Sequence, residues 1–384
     1  MSDKQNDKQN SKQKKHRMRK ILISLSIAIL ITLVIAVGAY AALRIAIRPP
    51  EIPEYVEVLI PRTPLPPAEV ATEPEAQPEA NHEGNVPYEY KEEETYLPYV
   101  PIPEFETLIF QRKPSFFTFL IYGLDDGNNV DALLVAAFDA VNNSIYLISI
   151  PRDTRVYTDR TVTRKVVASY SAGRRGGGGH EGGIDRLKTE VSTLIGFRPD
   201  LYIGVNQRGF VRLVDAIGGI EVDIPFRMVY NDPHQNLHIN LSPGQQVLNG
   251  QQALNFARFR QFDQGSRYAR SFSDFQRVAN HQQILSAIMQ ELLSARTIIR
   301  LPELASNYRD NVSTNLSTFQ IAWFVEQASR LDTDMLSTYT LPIARTVRQG
   351  WYELPDAEAT LELINRTINP FTRDILPEML RIIE

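Results

Sequence analysis

Four separated segments of the chain place charge where short apolar runs end. The first is Gly123-Leu124-Asp125-Asp126-Gly127, with Asp131 opening the next apolar run. Carboxylates on a glycine-containing loop suit a hard divalent cation; magnesium takes one or two of them and completes its octahedron with phosphate oxygens and water. A plain Asp-Gly turn uses the same residues. The second is Ser149-Ile150-Pro151-Arg152-Asp153-Thr154. Pro151 cannot donate to a ladder, so the strand ends there and Arg152 emerges at the sheet edge, where α/β proteins bind ligands. A surface Arg–Asp pair in a turn is the alternative. In the third, Leu248-Asn249-Gly250-Gln251-Gln252-Ala253-Leu254 runs into Arg258-Phe259-Arg260. Arginines two apart diverge by about 200° on a helix and share a face only in extended chain. Joint action on one ligand therefore requires the helix to end near Ala257; two solvated arginines on a fraying helix are the other reading. The fourth is Asp274-Phe275-Gln276-Arg277, with His281 one helical turn beyond and so beside Arg277 on the surface. Val278, Leu285, Ile288 and Leu292 make the expected core-facing stripe of that helix; Arg277 and His281 then face either a pocket or solvent.

Other chemistries are excluded or weak. The chain has no cysteine, which removes disulfides, Cys-ligated zinc and thiol nucleophiles. Its six histidines (16, 82, 180, 234, 238, 281) show no H-E-x-x-H or other ligand spacing. Gly177-Gly178-Gly179-His180-Glu181-Gly182 formally matches G-x-G-x-x-G. No strand runs directly into it and no acidic partner follows, so dinucleotide binding is not supported. The glycine-rich stretch 173–183 reads as a flexible loop over the pocket.

The elements that must position these residues follow from periodicity. Residues 116–122, 132–138, 144–150, 201–205 and 220–224 read as strands. Helical spacing marks 184–195, 210–217 (ended by Gly218-Gly219), 276–293, 318–331 and 356–368. Strands interleaved with helices predict a three-layer α-β-α domain with a central mixed sheet, spanning 110–298, with a helical extension over 299–384 packed on it or following it.

The N-terminal third has a different character. Residues 1–20 carry eight Lys/Arg against Asp3 and Asp7, a net +6, within a chain of net charge −4. Behind them, 21–43 is an apolar run broken only by Ser24, Ser26 and Thr32, long enough to span a hydrocarbon core of about 30 Å. The basic tail is expected to stay cytoplasmic and the rest to lie outside. Ala39-Tyr40-Ala41 offers a cleavage site, but a cleavable apolar core usually spans about 7–15 residues, so the run reads as one transmembrane helix. Residues 49–109, rich in Pro and Glu, read as an extracellular stalk.

Taken in order, these motifs resemble one family. The G-x-D loop, a downstream Asp, S-I-P-R-D-T, a Lys-led segment, V-D-A-I-G-G-I-E-V-D-I-P, L-x-P-G-x-Q-x-L-N-G-x-Q-A-L, R-x-R and D-x-x-R are similar to the signature of the LytR–CpsA–Psr proteins. The likeness is strong over 115–298 and continues weakly through Asn311-Val312-Ser313-Thr314-Asn315-Leu316 and Leu341-Pro342. The resemblance implies magnesium on Asp125 and Asp131, a diphosphate clamp of Arg152, Arg258, Arg260 and Arg277, and a pocket lysine at Lys165. Asp125, Arg152 and Arg277 are then the catalytic candidates, and His281 joins the substrate-binding set. The chain departs from the pattern at Asn129-Val130, where the family often writes Arg-Ser. It departs again at Arg277-Val278-Ala279-Asn280-His281, in place of R-x-x-R-Q, and in a longer loop containing Arg267 and Arg270.

Four converging arginines balance against two carboxylates, a magnesium ion and a diphosphate. The implied activity is transfer of a glycopolymer from a polyprenyl diphosphate carrier to peptidoglycan at the outer face of the lipid membrane, by phosphodiester formation. The same residues serve a hydrolase that uses water, or a non-catalytic binder of envelope glycolipid. No nucleic-acid partner is expected, because the basic tail carries no helix-turn-helix pattern.

Overall fold

The structure is a computed structural model. It describes residues 46–61, 105–125, 127–156, 165–233, 237–259, 274–293, 311–328, 330–331, 335–348 and 351–382. The expected transmembrane run 21–43 and the basic tail lie outside the described residues. Among the described residues no helix is long and apolar enough to cross a membrane.

The elements, in order, begin with strands β1 (Tyr55–Pro61), β2 (Phe105–Gln111), β3 (Phe116–Leu124), β4 (Val130–Asp139) and β5 (Ser144–Ser149). Helices α1 (Ala168–Gly173) and α2 (Gly179–Ile195) follow, then β6 (Leu201–Asn206) and α3 (Gln207–Ile217). Next come β7 (Ile220–Ile224), β8 (Met228–Asp232), β9 (Leu237–Leu241) and β10 (Gly244–Leu248), then helices α4 (Gly250–Arg258) and α5 (Asp274–Leu293). The chain closes with β11 (Val312–Thr314), α6 (Thr318–Ala328), β12 (Leu336–Thr340), β13 (Ile343–Val347), β14 (Tyr352–Pro355) and α7 (Ala357–Arg366). Two compact units result: 316–327, with the described residues up to 51, form one, and the remainder forms the other. In the first, Trp323 and Phe324 of α6 meet edge to face at 5.0 Å.

The main unit is built on a six-stranded sheet of order β11-β6-β3-β4-β5-β12. β6 lies parallel to β3, and β12 parallel to β5, while β11, β4 and the β4–β5 pair run antiparallel. The predicted mixed sheet is therefore present. Alternation explains why β3 reads as an almost continuous apolar run. Phe116, Leu120 and Tyr122 join the cluster packed under α1, α2 and α7, and Phe117 and Phe119 are buried on the opposite face. A strand buried on both sides has no solvent face to mark its period. A second cluster gathers Val214, Ile217, Ile224, Leu241, Phe256 and Phe259 with Ile284 and Ile288, joining α3, α4 and α5 to the antiparallel β7–β10 pair and the β8–β9 hairpin.

Four expectations need correction. The stretch 49–109 is not all stalk: β1 and β2 pair antiparallel at its two ends, and Val56, Val58, Ile60 and Leu108 pack on the core. Sequence patterning missed them because the Pro/Glu-rich residues between them separate the two short strands by more than forty positions. The C-terminal segment is not a helical extension either. β11 and β12 complete both edges of the central sheet, and Leu363, Ile364, Ile368, Phe371 and Ile375 fill its core. Strands this short show no period of their own; the sheet edges that receive them decide their form.

The glycine-rich stretch is helical. A π-helical turn at Arg174–Gly178 joins α1 to α2, with Gly177 at φ 89° marking the kink. A Cβ on Gly183 would sit 2.9 Å from the Tyr170 ring, and one on Gly173 would overlap the Gly182 carbonyl oxygen. These glycines let two helices touch backbone to backbone, so they serve packing and not mobility. Finally, the buried face of α5 runs through Asn280, Ile284, Ala287 and Ile288, with Leu285 only half-buried. Of the predicted stripe, Ile288 is buried as expected, Leu285 is not fully so, and the side chains of Val278 and Leu292 lie outside the described residues.

Candidate functional site

The ends of β3, β5, β6 and β12 that share one edge of the sheet are their C-terminal ends, and antiparallel β4 begins there. Asp125 follows β3 directly. Its carboxylate accepts from the Asn129 backbone N–H at 2.8 Å, and its own N–H donates to Asn129 O at 2.9 Å, closing the loop. Asn129 in turn receives the Ser171 hydroxyl of α1 at 3.3 Å. The β3–β4 register skips one residue: Gly123 faces Ala132 and Leu124 faces Val130. Asp131 is the extra residue of the resulting bulge. A bulge of this kind re-aims a side chain, and here it lets Val130 and Leu133 both face the core while Asp131 stays partly exposed.

Arg152, just past β5, reaches Asp131: its guanidinium Nη1 donates to Asp131 Oδ1 at 2.6 Å. Its Nε lies 3.8 Å from Asp153 Oδ1, and Lys165 Nζ donates to the same oxygen at 3.0 Å. Both members of the Arg152–Asp131 pair remain about one-third exposed, at 33% and 32%. Val166 N–H donates to Thr154 O at 2.8 Å, and Lys165 O receives the Ala168 N–H, so Lys165 is fixed between the post-β5 segment and α1. The structure thus brings Asp131, Arg152 and Lys165 together, with Asp125 at the same edge.

Two features of this edge were not read from the sequence. Arg155 and Lys165 both stand over the Tyr352 ring of β14, at 5.3 and 5.6 Å from its centroid. The Nε atoms of Arg152 and Arg155 are buried and make no hydrogen bond among the described residues. A buried guanidinium N–H without an acceptor is costly, and an incoming anion relieves it. Arg155 directly follows the Ser149–Thr154 motif, which is a usable signal. Tyr352 gave none, because its place depends on the β13–β14 hairpin docking some two hundred residues away in sequence.

The remaining candidates divide. Helix α4 ends at Arg258 and Phe259 turns extended (φ −65°, ψ 119°) with its ring fully buried, close to the break expected near Ala257. Arg258 is half-buried at that end; Arg260, Arg267 and Arg270 lie outside the described residues. Arg277 and His281 are on α5, their side chains outside the described set. The next residue, Gln282, donates from Nε2 to Thr340 Oγ1 at 2.6 Å. Thr340 closes β12, so α5 is anchored at the same edge of the sheet as Arg152.

The donor set can be tested against a divalent cation. Among the described residues no three His, Asp or Glu side chains converge on a metal site. Asp125 and Asp131 are two carboxylates at this edge, the type and number of protein donor that magnesium takes when phosphate and water supply its other oxygens.

The profile of the LytR_cpsA_psr family matches residues 89–368. The chain belongs to that family. Among curated members it is 31% identical to the polyisoprenyl-teichoic acid–peptidoglycan teichoic acid transferase TagV of Bacillus subtilis, over 55% of this chain and 52% of TagV. It is 27% identical to the regulatory protein MsrR of Staphylococcus aureus, over 51% and 55% respectively. The chain spans about half the length of these relatives. The crystal structure of TagV superposes with a TM-score of 0.53 at 27% identity, covering 67% of this chain and 96% of that one. A Streptococcus agalactiae protein, gbs0355, shares the fold at 21% identity, with a TM-score of 0.54 and 66% and 86% coverage. For this LytR_cpsA_psr protein, the match carries past residue 298 and includes the C-terminal strands that complete its sheet.

Proposed function

We propose that this protein transfers a glycopolymer from a polyprenyl diphosphate carrier to peptidoglycan by forming a phosphodiester, at the outer face of the membrane to which residues 21–43 anchor it. The observation that carries the reading is the edge itself. Arg152, Arg155 and Lys165 converge there, and the buried Nε atoms of Arg152 and Arg155 have no hydrogen-bond partner among the described residues. The name of the TagV relative supports the same chemistry.

An anionic diphosphate lies against the guanidinium groups of Arg152 and Arg155, while Lys165, held by Asp153, contributes a third positive charge. A hydroxyl of the acceptor sugar attacks the glycan-side phosphorus. The new P–O bond forms as the bond to the polyprenyl phosphate oxygen breaks, and the hydroxyl proton leaves to a base, a role proposed for Asp125. Polyprenyl phosphate departs. Catalysis by such a site is positioning and charge stabilisation. Asp125 and Asp131 would hold magnesium, which would supply charge neutralisation on the phosphate oxygens. Arg258, Arg260, Arg277 and His281 complete the substrate-binding set in this proposal.

The test is the full-length protein in lipid with a labelled polyprenyl diphosphate-linked glycan, peptidoglycan and magnesium. Glycan linked to peptidoglycan through a phosphodiester, with polyprenyl phosphate released, is expected. Asp125→Ala and Asp131→Ala abolish that product while circular dichroism stays unchanged. Release of free glycan phosphate regardless of peptidoglycan identifies a hydrolase instead, and binding without turnover identifies a carrier protein.

A further inference from the structure

The β13–β14 hairpin is fastened to the segment that carries Arg152. Arg155 N–H donates to Glu353 O at 2.9 Å and Glu353 N–H donates to Asp153 O at 3.0 Å. Tyr352, beside them, lies under Arg155 and Lys165. The next residue toward the hairpin tip is Trp351, whose side chain is 65% exposed. Its backbone sits at φ 53°, in the left-handed region, and its N–H donates to Arg348 O at 3.3 Å. Bulky side chains are rare in that conformation, and turns needing it use glycine or asparagine.

A single exposed apolar side chain is ordinary. Here the exposure coincides with strained backbone and with a position next to Tyr352, the ring over which Arg155 and Lys165 stand. Strain of this type persists where the surroundings over-determine it and collects at ligand sites. The indole offers a large flat apolar face with a polar N–H at its edge. The apolar C–H face of a pyranose ring is the shape and chemistry that such a plate takes.

We propose that Trp351 is a stacking platform for a sugar ring of the substrate, set at the lip of the diphosphate site by the β13–β14 hairpin. This deepens the transfer reading and rests on it for the source of the sugar, which is either the donor glycan next to the diphosphate or the peptidoglycan acceptor. Trp351 is a positioning residue: it holds the ring and takes no part in the bond that moves.

The chain contains two tryptophans, Trp323 and Trp351, which allows a direct measurement. In a Trp323→Phe background of the full-length protein, Trp351 is the sole indole emitter. Its fluorescence is titrated with a polyprenyl diphosphate-linked disaccharide, with bare polyprenyl diphosphate, and with a soluble peptidoglycan disaccharide-peptide. A saturable emission change with either sugar-bearing probe and none with the bare lipid supports the platform, and the responding probe names the source. The difference between wild type and Trp351→Phe gives the same signal without the Trp323 change. Trp351→Gly removes the ring and also relieves the left-handed strain, so it keeps the fold. It should bind the sugar-bearing probe about fivefold to tenfold more weakly, on the scale of one stacking contact, with the bare lipid unaffected. Trp351→Phe should keep most of the affinity. No emission change with any sugar probe, or wild-type affinity in Trp351→Gly, overturns the proposal. If Trp351 responds to sugar while no variant or wild type yields transferred product, the platform stands and the transferase reading fails.

Discussion

Arg152→Ala separates a ligand clamp from a scaffold, because the two roles predict losses of different size. The Arg152–Asp131 contact is short, but both side chains are about one-third exposed. Ion pairs of that exposure contribute about 0.2–1 kcal/mol to stability. In a domain of this size that is a fall in Tm of about 4 °C at most. If the guanidinium instead meets a diphosphate, truncation removes a charge-assisted hydrogen bond worth about 1.5–3 kcal/mol, or about tenfold to a hundredfold in affinity. The removal also exposes Asp131 and Asp153 to an anionic ligand. Without magnesium, the Arg152→Ala/Asp131→Ala double variant should therefore bind polyprenyl diphosphate better than Arg152→Ala alone, a non-additive pair. Arg152→Lys should rescue only in part, since an ammonium lacks the planar fork. The assays are titration with polyprenyl diphosphate and thermal unfolding by near-UV dichroism. Wild-type affinity in Arg152→Ala refutes the clamp, and so does an affinity loss matched by a collapse of the near-UV signal.

Three further outcomes follow from the fold. Arg112 holds Asp200 through two hydrogen bonds of 2.9 and 2.6 Å at the opposite end of the sheet, with side chains 4% and 11% exposed. Asp200→Ala strands a buried guanidinium and should cost about 3–5 kcal/mol in urea unfolding; a change under 1 kcal/mol contradicts the burial. Gly173→Ala puts a methyl into the Gly182 carbonyl and should lower the urea midpoint by the equivalent of about 1–3 kcal/mol, whereas a mobile loop would absorb it silently. Burial, reinforced by the nearby Arg198 charge and opposed by Asp200, pushes Lys188 down to about 8. The unfolded chain then binds more protons than the folded one between about pH 8 and the ordinary lysine value of 10.5, so this residue's burden on stability is full below pH 8 and fades as pH rises. Lys188→Met should gain stability over wild type at pH 7, with the gain shrinking by pH 10; a gain independent of pH removes the charge from the explanation.

The residues gathered at the edge of the sheet, Asp125, Asp131, Arg152 and Lys165, were legible in the sequence because their placement depends on local order. Pro151 ends β5 and delivers Arg152 to the edge whatever the rest of the chain does. Asn249 caps α4 through its side chain on the Gln252 N–H, with Gln252 returning the bond. That capping box can be read from four residues. The strands β3 to β6 and the helices α3 and α4 were likewise visible, since each carries its own apolar period or stop signal. Other features had no local cause. β1 and β2 meet across the Pro/Glu-rich segment, and β11 and β12 are three and five residues long; these become strands only because open sheet edges offer them hydrogen bonds. Gly173, Gly182 and Gly183 look like flexible chain in one dimension and are contact surfaces in three. The bulge that turns Asp131 toward Arg152 appears only when two registers are compared. Tyr352 and Trp351 come to the site by a hairpin whose docking is a long-range event. Spacing along a chain encodes what each segment can form alone, and tertiary packing selects which segments share an edge.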